Sequence, residues 1–224
     1  MRLRTNFRPR LCLLLALCVA GSAELSAKEP ATAKAELHVE GLGWLHNRDQ
    51  RLSLERLLGA QRGATLDANA IEDAAFLLFS AVESEGYLKP TMEIAVTRED
   101  GTALRFPFDT TLAVPLPRPL AAKKLTFEVK PGVRYVVTEV KITGLTALPV
   151  ETARGYFMPG RALLVVGSAQ AYTPSRLRRA LESVREELLQ RGFAEAQARA
   201  TEVKIDDKTG KVVLALEVNE GPRW

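Results

Sequence analysis

His38 and His46, with Cys12 and Cys18, are the only imidazoles and thiols in this 224-residue chain. A zinc centre needs about four such ligands brought together, and a thiol nucleophile needs a base beside it. Neither pattern occurs. His38 falls on the polar face of an alternating segment and His46 in a loop before a helical stretch, so a solvated imidazole is expected for each. Gly41-x-Gly43 lacks the third glycine of a dinucleotide fingerprint and reads as a turn, and no GxSxG, HExxH or phosphate-loop pattern is present. Asp206-Asp207 and Glu99-Asp100 supply carboxylates for calcium, but without the ligand ladder of a calcium loop, and each sits where a hairpin turn is expected. Arg176, Arg178, Arg179, Arg185 and Arg191 suggest a phosphate-binding helix, yet Glu182, Glu186 and Glu187 are interleaved with them. Glu187 and Arg191 are spaced for an i,i+4 pair, so a solvated, internally paired face is expected. The residues therefore point to no enzyme, no metal and no cofactor.

Whether the basic balance means anything depends on the first 23 residues. The whole chain has 31 Lys+Arg against 27 Asp+Glu, a formal charge of +4. Arg2, Arg4, Arg8 and Arg10 precede the apolar run 11–20 and then Gly21-Ser22-Ala23. A basic head, about ten apolar residues and a small-x-small end are the pattern of a secretory signal peptide, expected to be cleaved after Ala23. The run is too short for a membrane-spanning helix, which needs about 20 residues. Leu17 before Cys18 also departs from the small residue a lipid-attachment site wants. Removing residues 1–23 takes away four basic residues and both cysteines, leaving 27 basic against 27 acidic. Nucleic acid is then no longer an expected partner. Residues 24–34 (ELSAKEPATAK) read as a flexible leader.

The remaining chain repeats itself. Phe127-Glu128-Val129-Lys130-Pro131-Gly132-Val133-Arg134-Tyr135 matches Leu216-Glu217-Val218-Asn219-Glu220-Gly221-Pro222-Arg223-Trp224 as apolar-Glu-Val-x-x-Gly-x-Arg-aromatic, 89 residues apart. Val39-Glu40-Gly41-Leu42 matches Ile142-Thr143-Gly144-Leu145, and Glu85-Gly86-Tyr87 matches Arg191-Gly192-Phe193. Three matches in one order argue for a duplicated unit, 35–132 and 133–224.

Each copy reads β-α-α-β-β. In the second, 135–142 is a strand with Val136, Val140 and Ile142 on one face, and 149–158 is a short helix. Thr173-Pro174 caps a longer helix whose stripe is Leu177, Leu181, Val184 and Leu188. Segments 196–205 and 211–218 flank the turn 206–210. In the first copy, Leu37 and Val39 mark a strand, and a helix over 47–58 turns Leu54, Leu57 and Leu58 inward. Asp67 caps a second helix with Ile71, Leu78 and Val82 inward, and Met92, Ile94, Val96, Leu125, Phe127 and Val129 mark two further strands. Such alternation predicts an α+β fold, each sheet covered by two helices on its buried face. The copies differ by about 17 extra residues near 102–118 in the first. There Leu104, Phe106 and Phe108 alternate, suggesting an extra strand that Pro107 confines to an edge, followed by an extended, proline-rich stretch.

A signal peptide followed by tandem β-α-α-β-β units, each closing on V-x-x-G-x-R-aromatic, resembles the POTRA domains of BamA/TamA-like outer-membrane assembly factors and two-partner secretion transporters. The resemblance covers residues 35–224 and is stronger in the second copy, through Gly144, Gly192-Phe193 and Glu220-Gly221-Pro222. It implies a three-stranded mixed sheet in each unit, with the last strand central and the first strand of the hairpin at an edge. Those edges fall at Ala198, Arg199, Ala200, Thr201, Glu202 and Val203, and at Met92, Glu93, Ile94, Ala95 and Val96, the second set open to being covered by the insertion. An extended client could add there as a further strand. The resemblance further implies a periplasmic location, with unfolded outer-membrane polypeptides or assembly-complex subunits as partners and a C-terminal barrel in the same longer chain. The alternatives are a substrate-capture module of a two-partner secretion transporter and a structural periplasmic interaction protein.

Overall fold

The computed structural model describes residues 34–59, 63–159 and 170–224. The expected signal peptide, its cleavage point at Ala23 and all of the leader except Lys34 lie outside the described residues. Among the described residues no helix is long and apolar enough to cross a membrane.

The order of elements is β1 (Glu36–Glu40), α1 (Trp44–Leu58), α2 (Ala68–Ser84), β2 (Thr91–Arg98), β3 (Ala103–Pro107), β4 (Ala122–Lys130), β5 (Val136–Thr143), α3 (Val150–Phe157), α4 (Pro174–Gln190), β6 (Gln197–Ile205) and β7 (Lys211–Asn219). They form two mixed sheets, ordered β1-β4-β2-β3 and β5-β7-β6. In each, the last strand pairs in parallel with the first and antiparallel with its hairpin partner. The β-α-α-β-β reading holds in both halves, and the first sheet gains a fourth strand where three were expected. β3 pairs antiparallel with β2 over Glu93–Thr97, and Pro107 sits on its outer edge, where a missing N–H is tolerated.

Two apolar cores follow from the strand alternation. Leu37, Ile71, Leu78, Ile94, Leu125 and Phe127 centre the first, and Val140, Leu148, Val184, Leu188, Leu214 and Leu216 the second. The helix starts are chemically determined: Asp67 accepts from the Ala70 N–H and Thr173 from the Arg176 N–H, each satisfying one of the donors a helix leaves unpaired. Three details differ from the sequence reading. In β5 the register shifts between Val137 and Glu139, so Val137 joins Val140 in the core where Val136 was expected. A bulge adds one residue and so changes which parity faces inward. The helix read over 47–58 begins earlier, at Trp44, and Leu57 points to solvent while Leu54 and Leu58 are buried.

The inserted stretch of the first half also crosses α2. Leu116 and Leu120 enter the core, and Phe108 meets Phe76 edge-on at 5.2 Å. Glu72, almost fully buried, accepts the Leu116 N–H at 2.9 Å and pairs with Arg118 at 2.5 Å. A carboxylate in an apolar setting needs such partners.

The described residues fall in one compact unit, and a tight seam joins its halves. The Tyr135 N–H donates to the Gly86 carbonyl at 2.8 Å, and the Arg134 Nε to the Glu85 carbonyl at 2.9 Å. Gly86 has φ +99°, and a Cβ there would stand 2.9 Å from the Tyr135 oxygen, so only glycine fits. Across the seam, Lys89 Nζ donates to Asp207 at 2.8 and 2.9 Å, and within the second half the Tyr135 hydroxyl donates to the same carboxylate at 2.7 Å.

Candidate functional site

Among the described residues β6 is an edge strand, with β7 as its one strand neighbour. Its inner face is narrow: Ala198, Ala200 and Val203 pack partly against the core. Its outer face is charged. Arg199 bonds Glu217 through Nε at 2.9 Å and Nη2 at 2.6 Å, and Lys204 lies 3.2 Å from Glu202. The register shifts between Ala200 and Glu202, with Thr201 Oγ1 donating to the Ala215 carbonyl. The bulge separates two four-residue stretches, Gln197–Ala200 and Glu202–Ile205, each paired to β7 on one side. An edge strand offers backbone N–H and C=O groups on its other side to an added strand.

The turn that closes this hairpin is held by its own hydrogen bonds. Asp206 accepts from the Thr209 hydroxyl and from the Lys208 N–H, and these bonds, the first most, hold its carboxyl below the usual aspartate value. Asp207 is also lowered, by hydrogen bonds from Lys89 first and Tyr135 second. Glu220 closes the loop after β5. Burial opposes its charge, but hydrogen bonds from Thr146 and the Ala147 N–H outweigh it, and the net shift is downward.

The second expected edge is corrected. Met92, Glu93, Ile94, Ala95 and Val96 lie in β2, which has β4 on one side and β3 on the other. The Met92 carbonyl accepts the Phe108 N–H. The insertion supplies the strand that occupies this edge, leaving β3 outermost. His38 and His46 are solvent-facing, each 3.7 Å from a glutamate, Glu36 and Glu85 respectively. Among the described residues no group of three or more histidine, cysteine or acidic side chains is placed to hold a metal. The Lys89–Asp207–Tyr135 cluster was not anticipated. Tyr135 stands in the repeated junction and Asp207 in the expected hairpin turn, but partners 72 and 118 residues apart leave no local pattern that joins them.

The comparisons bear on this half of the molecule. A family model described as POTRA, surface antigen variable number repeat, matches residues 135–221. Residues 135–221 are a POTRA domain. Its β5-α3-α4-β6-β7 order and the Gly144, Gly192-Phe193 and Glu220-Gly221-Pro222 positions fall within that stretch. No curated protein matches the sequence. Similar solved structures include POTRA3-5 of Haemophilus influenzae BamA, at 15% identity and TM-score 0.40, covering 85% of this chain and 67% of that one. The N-terminal domain of Omp85 from Thermosynechococcus elongatus has 16% identity and TM-score 0.42, over 81% of this chain and 60% of that one. CdiB from Escherichia coli has 13% identity and TM-score 0.35, over 94% of this chain and 31% of that one. The chain thus spans about two thirds or less of each of these three chains.

Proposed function

We propose that this chain is the periplasmic, non-catalytic polypeptide-binding part of an outer-membrane protein assembly factor. It is exported by a signal peptide cleaved after Ala23, with tandem POTRA-like units over 35–132 and 133–224 and a barrel in the same longer protein. Extended segments of outer-membrane polypeptides, or of assembly subunits, pair with β6. The open edge of β6 within a POTRA domain carries this reading. Backbone pairing accepts many sequences, which suits a protein handling diverse unfolded chains. The charges on β6 and its bulge then limit pairing to short segments and suppress self-association.

The test is a titration of the 15N-labelled chain with an extended peptide copied from an outer-membrane β-strand. Chemical-shift changes concentrated at 197–205, with 92–96 unmoved, are the expected result. Changes scattered elsewhere, or none at millimolar peptide, refute the edge as the binding site.

A further inference from the structure

The helix-covered face of the second half holds a cavity of about 250 Å³ between α3 and α4. Its apolar lining comes from Val137, Phe157, Leu177, Ala180 and Leu214. No residue of β6 lines it, so it is separate from the open edge. An apolar cavity of about 150 Å³ takes benzene, and this one has room for a ring with a short polar tether.

The polar residues of the lining are not equally engaged. The Thr173 hydroxyl accepts the Arg176 N–H and caps α4, and the Ser183 hydroxyl donates to the Arg179 carbonyl. Tyr172 is different. It is 7% exposed, its hydroxyl has no hydrogen-bond partner, and burial alone pushes its pKa up. A buried phenol usually finds an acceptor. The fold does not demand a phenol there: Leu66, which also directly precedes a helix cap, holds the same position in the first half and is fully buried. Arg179 also lines the cavity, is exposed, and forms no ion pair among the described residues. Counted from the caps, its counterpart in the first half is Asp73, of opposite charge.

We propose that this cavity binds a small carboxylic acid whose apolar body is the size of one aromatic ring. The body lies against the apolar lining, and the carboxylate meets the Tyr172 hydroxyl and the Arg179 guanidinium. A neutral phenol donates and a carboxylate accepts, so an anion suits both groups, whereas an ammonium is repelled by Arg179. The exposed arginine contributes a small charge preference, and the buried hydroxyl, which gains its acceptor on binding, contributes more. The site is independent of strand pairing at β6, so either reading can fail alone.

The full chain with 13C-labelled methyl groups is titrated with 3-phenylpropionate and, as a neutral control of the same shape, with 3-phenylpropionamide. The acid is expected to shift the methyls of Val137, Leu177 and Leu214 and to bind more tightly than the amide. Tyr172→Phe should weaken the acid about tenfold, the loss of a hydrogen bond to a charged group. Arg179→Gln should weaken it about threefold, as removal of an exposed charge does, and leave the amide unchanged. The first substitution keeps the ring and the second lies at the surface, so the parent's methyl spectrum should persist in both. Methyl shifts scattered outside the cavity, no shifts at millimolar acid, an amide that binds as well as the acid, or either substitution without effect on the acid overturns the proposal.

Discussion

β2 and β6 hold the same place in the two halves, each antiparallel to the central last strand of its sheet, yet one is enclosed and the other open. The composition of each strand follows its surroundings. β2 (TMEIAVTR) buries Met92, Ile94 and Val96 and has β3 zipped along its outer side. β6 (QARATEVKI) is mostly exposed, alternates small and charged residues, and carries a bulge. A covered strand can be apolar, because nothing else can pair with it. An open one needs charge and irregularity to stay unpaired with the wrong chain. A common topology therefore does not imply a common binding surface. Whether the edge is usable depends on the residues between the hairpin strands, the short turn 206–210 in one half and a strand plus a helix-crossing strap in the other.

The largest expected effect tests whether the halves share a backbone plan despite that difference. A Cβ on Gly41 would sit 1.7 Å from the Val129 oxygen, and one on Gly144 2.1 Å from the Val218 oxygen, both at positive φ. Alanine at either position should cost on the order of 3 kcal/mol or more. Gly41→Ala should unfold the first core and Gly144→Ala the second, as followed by urea titration with NMR probes in each. If either variant is as stable as the parent, the two turns are not equivalent.

Next in size is an attempt to make β2 resemble β6. Arg105 lies mid-way along β3, opposite Ala95, with its guanidinium 2.7 Å from Glu128 and 3.6 Å from Glu93. Leu104, opposite Val96, is a position whose N–H faces β2, so Leu104→Pro removes a ladder donor beside these ion pairs, a loss of about 1–2 kcal/mol. Amides of Glu93–Thr97 should then exchange faster with solvent. Under the edge-pairing proposal, the strand peptide should now also shift residues 92–96. Faster exchange without peptide binding would show that an open edge alone does not make a site.

These outcomes bear on what a single sequence can reveal. Alternation and caps are local: Asp67, Thr173 and the Leu216–Val218 pattern announce their elements because partners lie within a few residues or a strand's period. The repeat extended this to topology, since three motif pairs in one order fix which strand follows which. The covered edge was only half legible. Leu104, Phe106 and Phe108 suggested a strand, but no local signal says that its partner is β2. The Glu72–Arg118 pair spans 46 residues and the Lys89–Asp207 pair 118, so neither has a periodicity to betray it. The inward turn of Val137 depends on a bulge that alternation cannot anticipate.

A smaller effect concerns the seam, where the halves meet through Asp207. Hydrogen bonds from Lys89 and Tyr135 lower its carboxyl, while the same contacts raise Lys89 and Tyr135. A depressed carboxylate stabilises the folded state above its unfolded value, and the contribution is lost as pH falls through the lower folded value. The raised lysine and tyrosine contribute below their unfolded values and lose that contribution as pH rises through the folded ones. The seam should therefore be tightest between the aspartate and lysine ranges and loosen in acid and in strong alkali. Asp207→Asn should abolish the acid limb, broadening the inter-half distance at neutral pH to what the parent shows in acid. An NMR titration placing Asp207 at an ordinary aspartate value would contradict the cluster.

The smallest effect addresses why the open edge is charged. Arg199 stands opposite Glu217 in the register and bonds it, yet its side chain is largely exposed, so the pair is worth less than about 1 kcal/mol. Arg199→Glu sets like charges across the strand pair without touching the core, and the melting transition should move little. If the charge only prevents self-association, acidic and basic strand peptides will bind the variant alike. If it also selects clients, acidic peptides should weaken by about threefold and basic ones tighten by a similar factor, the fold-change that corresponds to an interaction of that size. Calorimetric titration of both peptides into parent and variant separates these outcomes. Selection by charge would make β6 a discriminating edge, which backbone pairing alone cannot be.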